Sequence, residues 1–366
     1  MFNHPNRIFG LDVLRALAIT LVVVSHCTYL IPQSDSQLIL AIRTFGAIGV
    51  DLFFVLSGYL IGGILLKHLE RNQTSFKDLF RFWKRRWLRT LPNYMVVLIL
   101  NCVLLYILED QIIPGVWEFF LFIQNFSSSH PDFFTEAWSL SIEEYAYLFL
   151  PFLIFIALSF FKKTKPKSLF LKVTLITILG LFVLKILFYF KYDINSYKEW
   201  SSSFRKVVIY RVDSIYIGFV LIYFVKAYKD YFIKLRYWLL GIGLLLFIAL
   251  HGFIFENNAL PQDYPFFYSI IYLLLLSVSL VLLFPFFTSL SRPKIGQRLV
   301  FYISTRSYAI YLVNYSLILL TIQEYFEASF LGIPFYLMAT ILASECLYQW
   351  VEKPFLKFRE NHISRL

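Results

Sequence analysis

Leu11-Asp12-Val13-Leu14-Arg15-Ala16-Leu17-Ala18-Ile19-Thr20-Leu21-Val22-Val23-Val24-Ser25-His26-Cys27-Thr28-Tyr29-Leu30-Ile31 is the first long apolar run of the chain. At about 1.5 Å of rise per residue, a helix of this length crosses a hydrocarbon core of about 30 Å. Working outward from it, nine further runs read the same way, near 45–66, 92–109, 139–161, 169–190, 206–225, 237–255, 266–288, 299–320 and 333–351. The reading is an all-α polytopic membrane protein, a bundle of about ten transmembrane helices. The segment before the first run is short, carries one arginine, and is not followed by a small-residue cleavage site. The first helix is therefore expected to be retained and not removed as a signal peptide.

Composition agrees. Of 366 residues, 59% are hydrophobic, 20% aromatic and only 16% charged, which excludes a disordered chain and fits poorly to a soluble surface. Cys27, Cys102 and Cys346 are isolated within apolar stretches, so they read as core thiols and not as a disulfide scaffold or metal site. The net charge of +11 would suit nucleic acid if it were clustered on a soluble face. Its distribution says otherwise. With the N-terminus inside, the inner segments hold 24 Lys or Arg, and the outer loops hold only Arg43, Lys191, Lys198 and Arg205. By the positive-inside rule both termini are expected in the cytoplasm, with some attraction to anionic membrane lipid and no role for nucleic acid. No segment between runs exceeds about 30 residues, so residues 1–366 are expected to form one membrane-embedded domain with no separate soluble domain.

Ionisable groups inside such spans are costly and face a cavity or a partner. Arg15 and His26 are 11 positions apart, about three turns plus 20°, so they share one face of the first helix about 16 Å apart along its axis. A plainer account has Asp12 pairing with Arg15 and His26 hydrogen-bonded in the core. The second run carries Asp51 and the small pair Ser57-Gly58. An unpaired carboxylate at Asp51 would be expensive, whereas Ser57 and Gly58 suit close helix packing.

Arg81 to Arg89 holds five basic residues in nine positions, with Arg85, Arg86 and Arg89 on adjoining helical faces. Such a cluster grips phosphates through charge-assisted bonds, or simply marks the inner membrane edge. Toward the outer side, Trp138-Ser139-Leu140-Ser141-Ile142-Glu143-Glu144-Tyr145 brings two carboxylates into an apolar helix, and Arg211-Val212-Asp213 adds a third. These can converge with His26 as a general base and its partner, or serve as caps and ion pairs. Trp117, Trp138 and Trp200 suit stacking on sugars, and equally an interfacial aromatic belt.

Taken together, Arg15 with His26, Asp51-Leu-Phe-Phe-Val-Leu-Ser-Gly58, Arg85-Arg86-x-x-Arg89 and Trp138-Ser-Leu-Ser-Ile-Glu-Glu144 resemble the acyltransferase-3 family. Arg211-Val-Asp213, Ser307-Tyr-Ala-Ile-Tyr311 and Glu352-Lys-Pro-Phe355 extend the likeness over nearly the whole chain. The resemblance implies an integral-membrane O-acyltransferase of the bacterial inner membrane with a ten-helix core. It also implies an acyl-coenzyme A donor, usually acetyl-CoA, and a surface polysaccharide or its lipid-linked precursor as acceptor, with no metal. One departure is Asn314, where many members have a histidine. No hydrolase-like extracytoplasmic domain is recognised, so a stand-alone form is expected.

On this reading Arg85, Arg86 and Arg89 hold the donor's phosphates, Arg15 lines the path of its pantetheine arm, and His26 is the base toward a sugar hydroxyl. Glu143, Glu144 or Asp51 orients His26 or raises its basicity. Ser57, Trp138 or Tyr145 supplies an oxyanion donor, with Arg211 and Asp213 on the acceptor side. The competing class is a secondary transporter or flippase, which would show broken helices with paired Gly or Pro near midspan. Most prolines, Pro92 among them, are expected near helix ends.

Overall fold

The protein is described by a computed structural model over residues 7–32, 36–110, 113–327 and 329–363. The extreme ends, residues 1–6 and 364–366, which the charge pattern assigns to the cytoplasm, lie outside the described residues. The described chain is helical throughout, without strands. Eight helices are long and apolar enough to cross a membrane, and their length and composition are those of a multi-pass membrane protein. They are α1 (Phe9–Cys27), α2 (Gln37–Glu70), α3 (Phe76–Glu109), α4 (Ala137–Phe160), α5 (Pro166–Lys191), α6 (Val208–Ala227), α7 (Lys229–Glu256) and α8 (Phe267–Thr288). Two further helical runs, α9 (residues 297–325) and α10 (residues 332–362), cover the last two expected spans. They carry polar groups such as Arg306 and Glu352 toward the interior of the bundle.

Local sequence explains the starts of the helices that build the site. Ser36 caps α2 by accepting from the Ile39 amide. Ser75 and Asp78 form a reciprocal capping box at the start of α3. That start lies 16 residues before Pro92, so Pro92 sits inside a 34-residue helix and not at the beginning of a span. A proline in a buried membrane helix forfeits one backbone bond while neighbouring helices support the turn. As a result the basic cluster belongs to the bundle itself and not to a loop.

Close packing follows from glycine where helices cross. A Cβ on Gly58 of α2 would stand 1.9 Å from the Ile215 carbonyl oxygen, and one on Gly218 of α6 would stand 2.4 Å from that of Val55. These two glycines let α2 and α6 touch backbone to backbone. The same interface carries charge. Asp51 pairs with fully buried Arg211, and Arg205 stands 4.0 Å away. Beside them Lys185 of α5 meets Asp213 at 2.5 Å. Each charge has an opposite partner, which is what a low-dielectric interior demands. Of the cysteines, Cys27 and Cys102 are half-buried, while Cys346, expected in the core, is exposed on the side of α10.

The contacts define two ends of the bundle. At the basic end Arg292 donates to the Arg7 carbonyl at 2.9 Å and Arg85 pairs with Glu360 at 2.9 Å. At the opposite end Arg43 donates to Thr28 at 3.1 Å and Gln323 to the Tyr29 carbonyl at 3.1 Å. Helices α1 and α9 run in the same direction between these ends. Asp12 and Arg15 meet Ser304, and His26 meets Asn314, so two positions eleven apart on α1 face two positions ten apart on α9.

Candidate active site

Between α1, α2, α3, α4, α9 and α10 lies a cavity of about 640 Å³. Its mouth is at the basic end, where Arg7, Arg306, Lys353 and Arg359 line it. Farther in come Arg15, Arg86, Arg89 and Glu352, and deepest are Phe53, Ser57, Ser139, Glu143 and Tyr311. The lining is strongly cationic.

The cations differ in what holds them. Arg7 grips Asp12 with two bonds of 2.6 Å, and Asp12 also accepts from Ser304 at 2.6 Å. Arg15 reaches Asp12 at 3.4 Å and Ser304 at 3.2 Å, bonds that leave most of its donors uncommitted. Arg86 donates to Glu143 at 2.9 Å and lies over the Tyr147 ring at 4.3 Å. Arg89 has no ion pair or hydrogen bond with any described residue, although it lines the cavity. A guanidinium inside a helix bundle with no acceptor among the described residues is suited to an anion from elsewhere.

The carboxylates take supporting positions. Glu143 accepts from Ser57 at 3.2 Å, Arg86 at 2.9 Å and Tyr147 at 3.0 Å, so both of its oxygens are engaged. It anchors Arg86 in the wall. Glu144 accepts from Thr90 at 2.9 Å, and Thr90 in turn accepts from Tyr308 through its carbonyl at 2.9 Å, which ties α3 to α4 and α9. Neither glutamate is hydrogen-bonded to His26.

His26 stands beyond the deep end and does not line the cavity. Its Nδ1 is 2.5 Å from Asn314 Oδ1, and its ring packs 4.7 Å from the Tyr315 ring. Tyr311, one helical turn before Asn314, lies at the boundary. Its hydroxyl is 2.7 Å from that of Ser139, and both bond the Glu136 carbonyl oxygen. The Ser139–Tyr311 pair thus lines the cavity one helical turn before the Asn314 that meets the imidazole.

Several expected site residues lie elsewhere. Arg85 points away from the cavity to Glu360 and the Ile363 carbonyl, because one residue of helical rotation separates it from Arg86. Asp51 and Arg211 are consumed by each other, and Asp213 by Lys185. Trp138 is buried between Phe54 and the Arg205 guanidinium, and Tyr145 stacks with Phe126 and Phe149. Ser57, Glu143, Arg15, Arg86 and Arg89 do share the cavity. Sequence reasoning missed Ser304, Arg306 and Arg359, and assigned no role to Tyr311. Ser304 and Asn314, ten positions apart on α9, nearly match the eleven between Arg15 and His26 on α1, and that near match was the available signal.

Glu136, at the start of α4, accepts from the Ser316 amide at 3.2 Å and from the Ser316 hydroxyl. Burial pushes its carboxyl from 4.5 up to about 7, against the pull of the Ser316 bonds. Between these pH values the folded protein holds a proton that the unfolded chain has released, so stability falls as pH rises from about 4.5 through about 7. Thermal unfolding of the detergent-solubilised protein should show a lower midpoint at pH 8 than at pH 5. Glu136→Gln should flatten that difference, and an unchanged pH dependence in the variant would assign it to other groups.

Comparison with known proteins places this arrangement. The acyltransferase-3 model, described as an acyltransferase domain, matches residues 8–348. The chain belongs to that family. It is similar to O-acetyltransferase OatA of Staphylococcus aureus strain NCTC 8325 / PS 47, at 27% identity over 380 residues covering 96% of this chain and 58% of the relative. It is also similar to a putative O-acetyltransferase of S. aureus strain COL, at 29% over 380 residues, covering 97% of this chain and 58% of that protein. The chain thus spans less than two thirds of the length of these relatives. No solved structure matches it.

Proposed function

We propose that the chain is an O-acetyltransferase that takes an acyl group from acyl-CoA, acetyl-CoA above all, at its basic end. The acceptor is a hydroxyl of a surface glycan or lipid-linked glycan precursor at the opposite end, and the bacterial inner membrane is the setting. The observation that carries this reading is the cationic cavity, which opens among the basic segments and is directed at the Ser139–Tyr311 boundary and His26. The names of the relatives supply the acetyl group and the oxygen acceptor.

The residues fit a polyphosphate donor. Arg89 has no acceptor among the described residues, and Arg15 and Arg359 line the same space, so phosphate oxygens complete their hydrogen bonding. Acyl-CoA supplies a thioester whose carbonyl is open to attack. Arg89 and Arg15 bind the phosphates, and Glu143 holds Arg86 against the wall. Ser139 and Tyr311 yield passage to the acyl end, and their hydroxyls are the nearest donors for a developing oxyanion. His26 Nε2 removes the proton from the attacking hydroxyl. As the new C–O bond forms and the C–S bond breaks, that proton passes to the departing sulfur. The charge-asymmetry rule makes the basic end cytoplasmic.

The transporter reading finds less support. Helices α1 to α4 run unbroken alongside the cavity, and Pro92 and Pro151 lie within continuous helix and not between paired half-helices. Mass spectrometry of surface glycans from cells with and without the intact gene, with a His26→Ala control, tests the proposal. An acyl mass increment lost in both the deletion and the His26→Ala strain is expected. Identical glycan masses in all three would contradict it.

A further inference from the structure

The cavity walls belong to the site above, and the buried charges around Asp51 and Asp213 are paired with each other's neighbours inside the bundle. One neutral residue is different. We infer that Asn314 is a positioning residue: it holds His26 as the Nδ1–H tautomer, leaving the Nε2 lone pair as the base, and it does so without charge. This rests on the reading of His26 as the base, which it deepens.

The amide of Asn314 can face only one way. Its Nδ2 donates to the carbonyl oxygens of Ile310 and Tyr311, both at 2.8 Å. Turning the amide over would set Oδ1 against two carbonyl oxygens. Oδ1 therefore points to His26 Nδ1 and also accepts from the Tyr336 hydroxyl at 3.2 Å. An amide oxygen donates nothing, so the proton between Asn314 and His26 is on Nδ1. A neutral imidazole has one such proton, which leaves Nε2 bare.

Local backbone builds this arrangement. Asn314 is fully buried and begins a π-helical turn over Asn314–Leu319 within α9, a feature that widens the helix. The groups facing His26 and its partner are uncharged or engaged. From α1 and the turn after it come Cys27 and Tyr29, the latter under the Arg43 guanidinium at 4.4 Å. From α9 come Asn314 and Tyr315, and from α10 Tyr336. Glu136, from the start of α4, is bound to Ser316. No described carboxylate bonds His26. The tautomer is thus set by a neutral amide, where a carboxylate would set it and raise the basicity of the ring.

The test uses the full-length protein in lipid nanodiscs with [15N]histidine, assigning His26 by its loss in His26→Ala. Nitrogen NMR at neutral pH should show a protonated Nδ1 and an unprotonated Nε2. In Asn314→Leu both tautomers should appear, and kcat should fall roughly ten- to a hundredfold with donor KM unchanged. A protonated Nε2 in the native protein would overturn the inference, as would an Asn314→Leu protein that keeps the Nδ1–H tautomer alone. Full turnover in His26→Ala would instead overturn the role of His26 as base, while the NMR result would still decide the tautomer.

Discussion

His26→Ala should lower turnover by roughly a thousandfold, within the range that a positioned general base contributes, while leaving the binding of acetyl-CoA within about twofold of the native protein. The two effects separate because His26 lies outside the cavity whose cations would hold the donor. Its removal deprives Asn314 Oδ1 of one partner, but Tyr336 still donates to that oxygen, so the bundle around α9 stays satisfied. Steady-state assays with labelled acetyl-CoA give kcat, and equilibrium dialysis gives donor affinity. Loss of binding together with turnover would place His26 in the donor site and not at the reacting oxygen.

The second large effect is expected in donor binding. Arg89→Ala and Arg15→Ala each remove charge-assisted hydrogen bonds of about 1.5–3 kcal/mol, roughly a ten- to hundredfold rise in donor Kd apiece. Together they should abolish measurable binding at micromolar donor. Arg85→Ala is the internal control. It belongs to the same basic cluster, yet its guanidinium is spent on Glu360 and the Ile363 carbonyl, so donor affinity should hardly change. Equal loss in all three variants would mean that the cluster acts through overall charge and not through the cavity.

That contrast shows where sequence reading stops. Apolar runs revealed the spans because the cost of exposing backbone in lipid makes long apolar helices obligatory. The last two, α9 and α10, line the cavity together with α1 to α4. The shared face of Arg15 and His26 was legible from helical rotation alone, and the structure places both against α9. What a single helix cannot reveal is its neighbour. Arg85 and Arg86 differ by 100° of rotation, and only the position of α10 decides that one meets Glu360 while the other enters the cavity. Asp51 was recognised as needing a partner, but that partner, Arg211, comes from α6, 160 positions later. Pro92 misled for the opposite reason: a local rule for helix ends yields to tertiary support inside a bundle.

The orientation of His26 was open in the same way. Glu143, Glu144 and Asp51 were the natural candidates because carboxylates commonly orient imidazoles. In the structure their oxygens are taken by Arg86 and Tyr147, by Thr90, and by Arg211. The ring is met by an amide that read, in sequence, only as a departure from the family pattern.

The most direct test of the account is a sided transfer assay. The protein is reconstituted into vesicles in one orientation, established by protease access to a C-terminal tag. Labelled acetyl-CoA is supplied only at the basic face, and a hydroxyl-bearing glycan acceptor is sealed on the other side. The account predicts label on the enclosed acceptor, dependent on His26 and on Arg89. Acetylation confined to acceptor added on the donor's own side would contradict it.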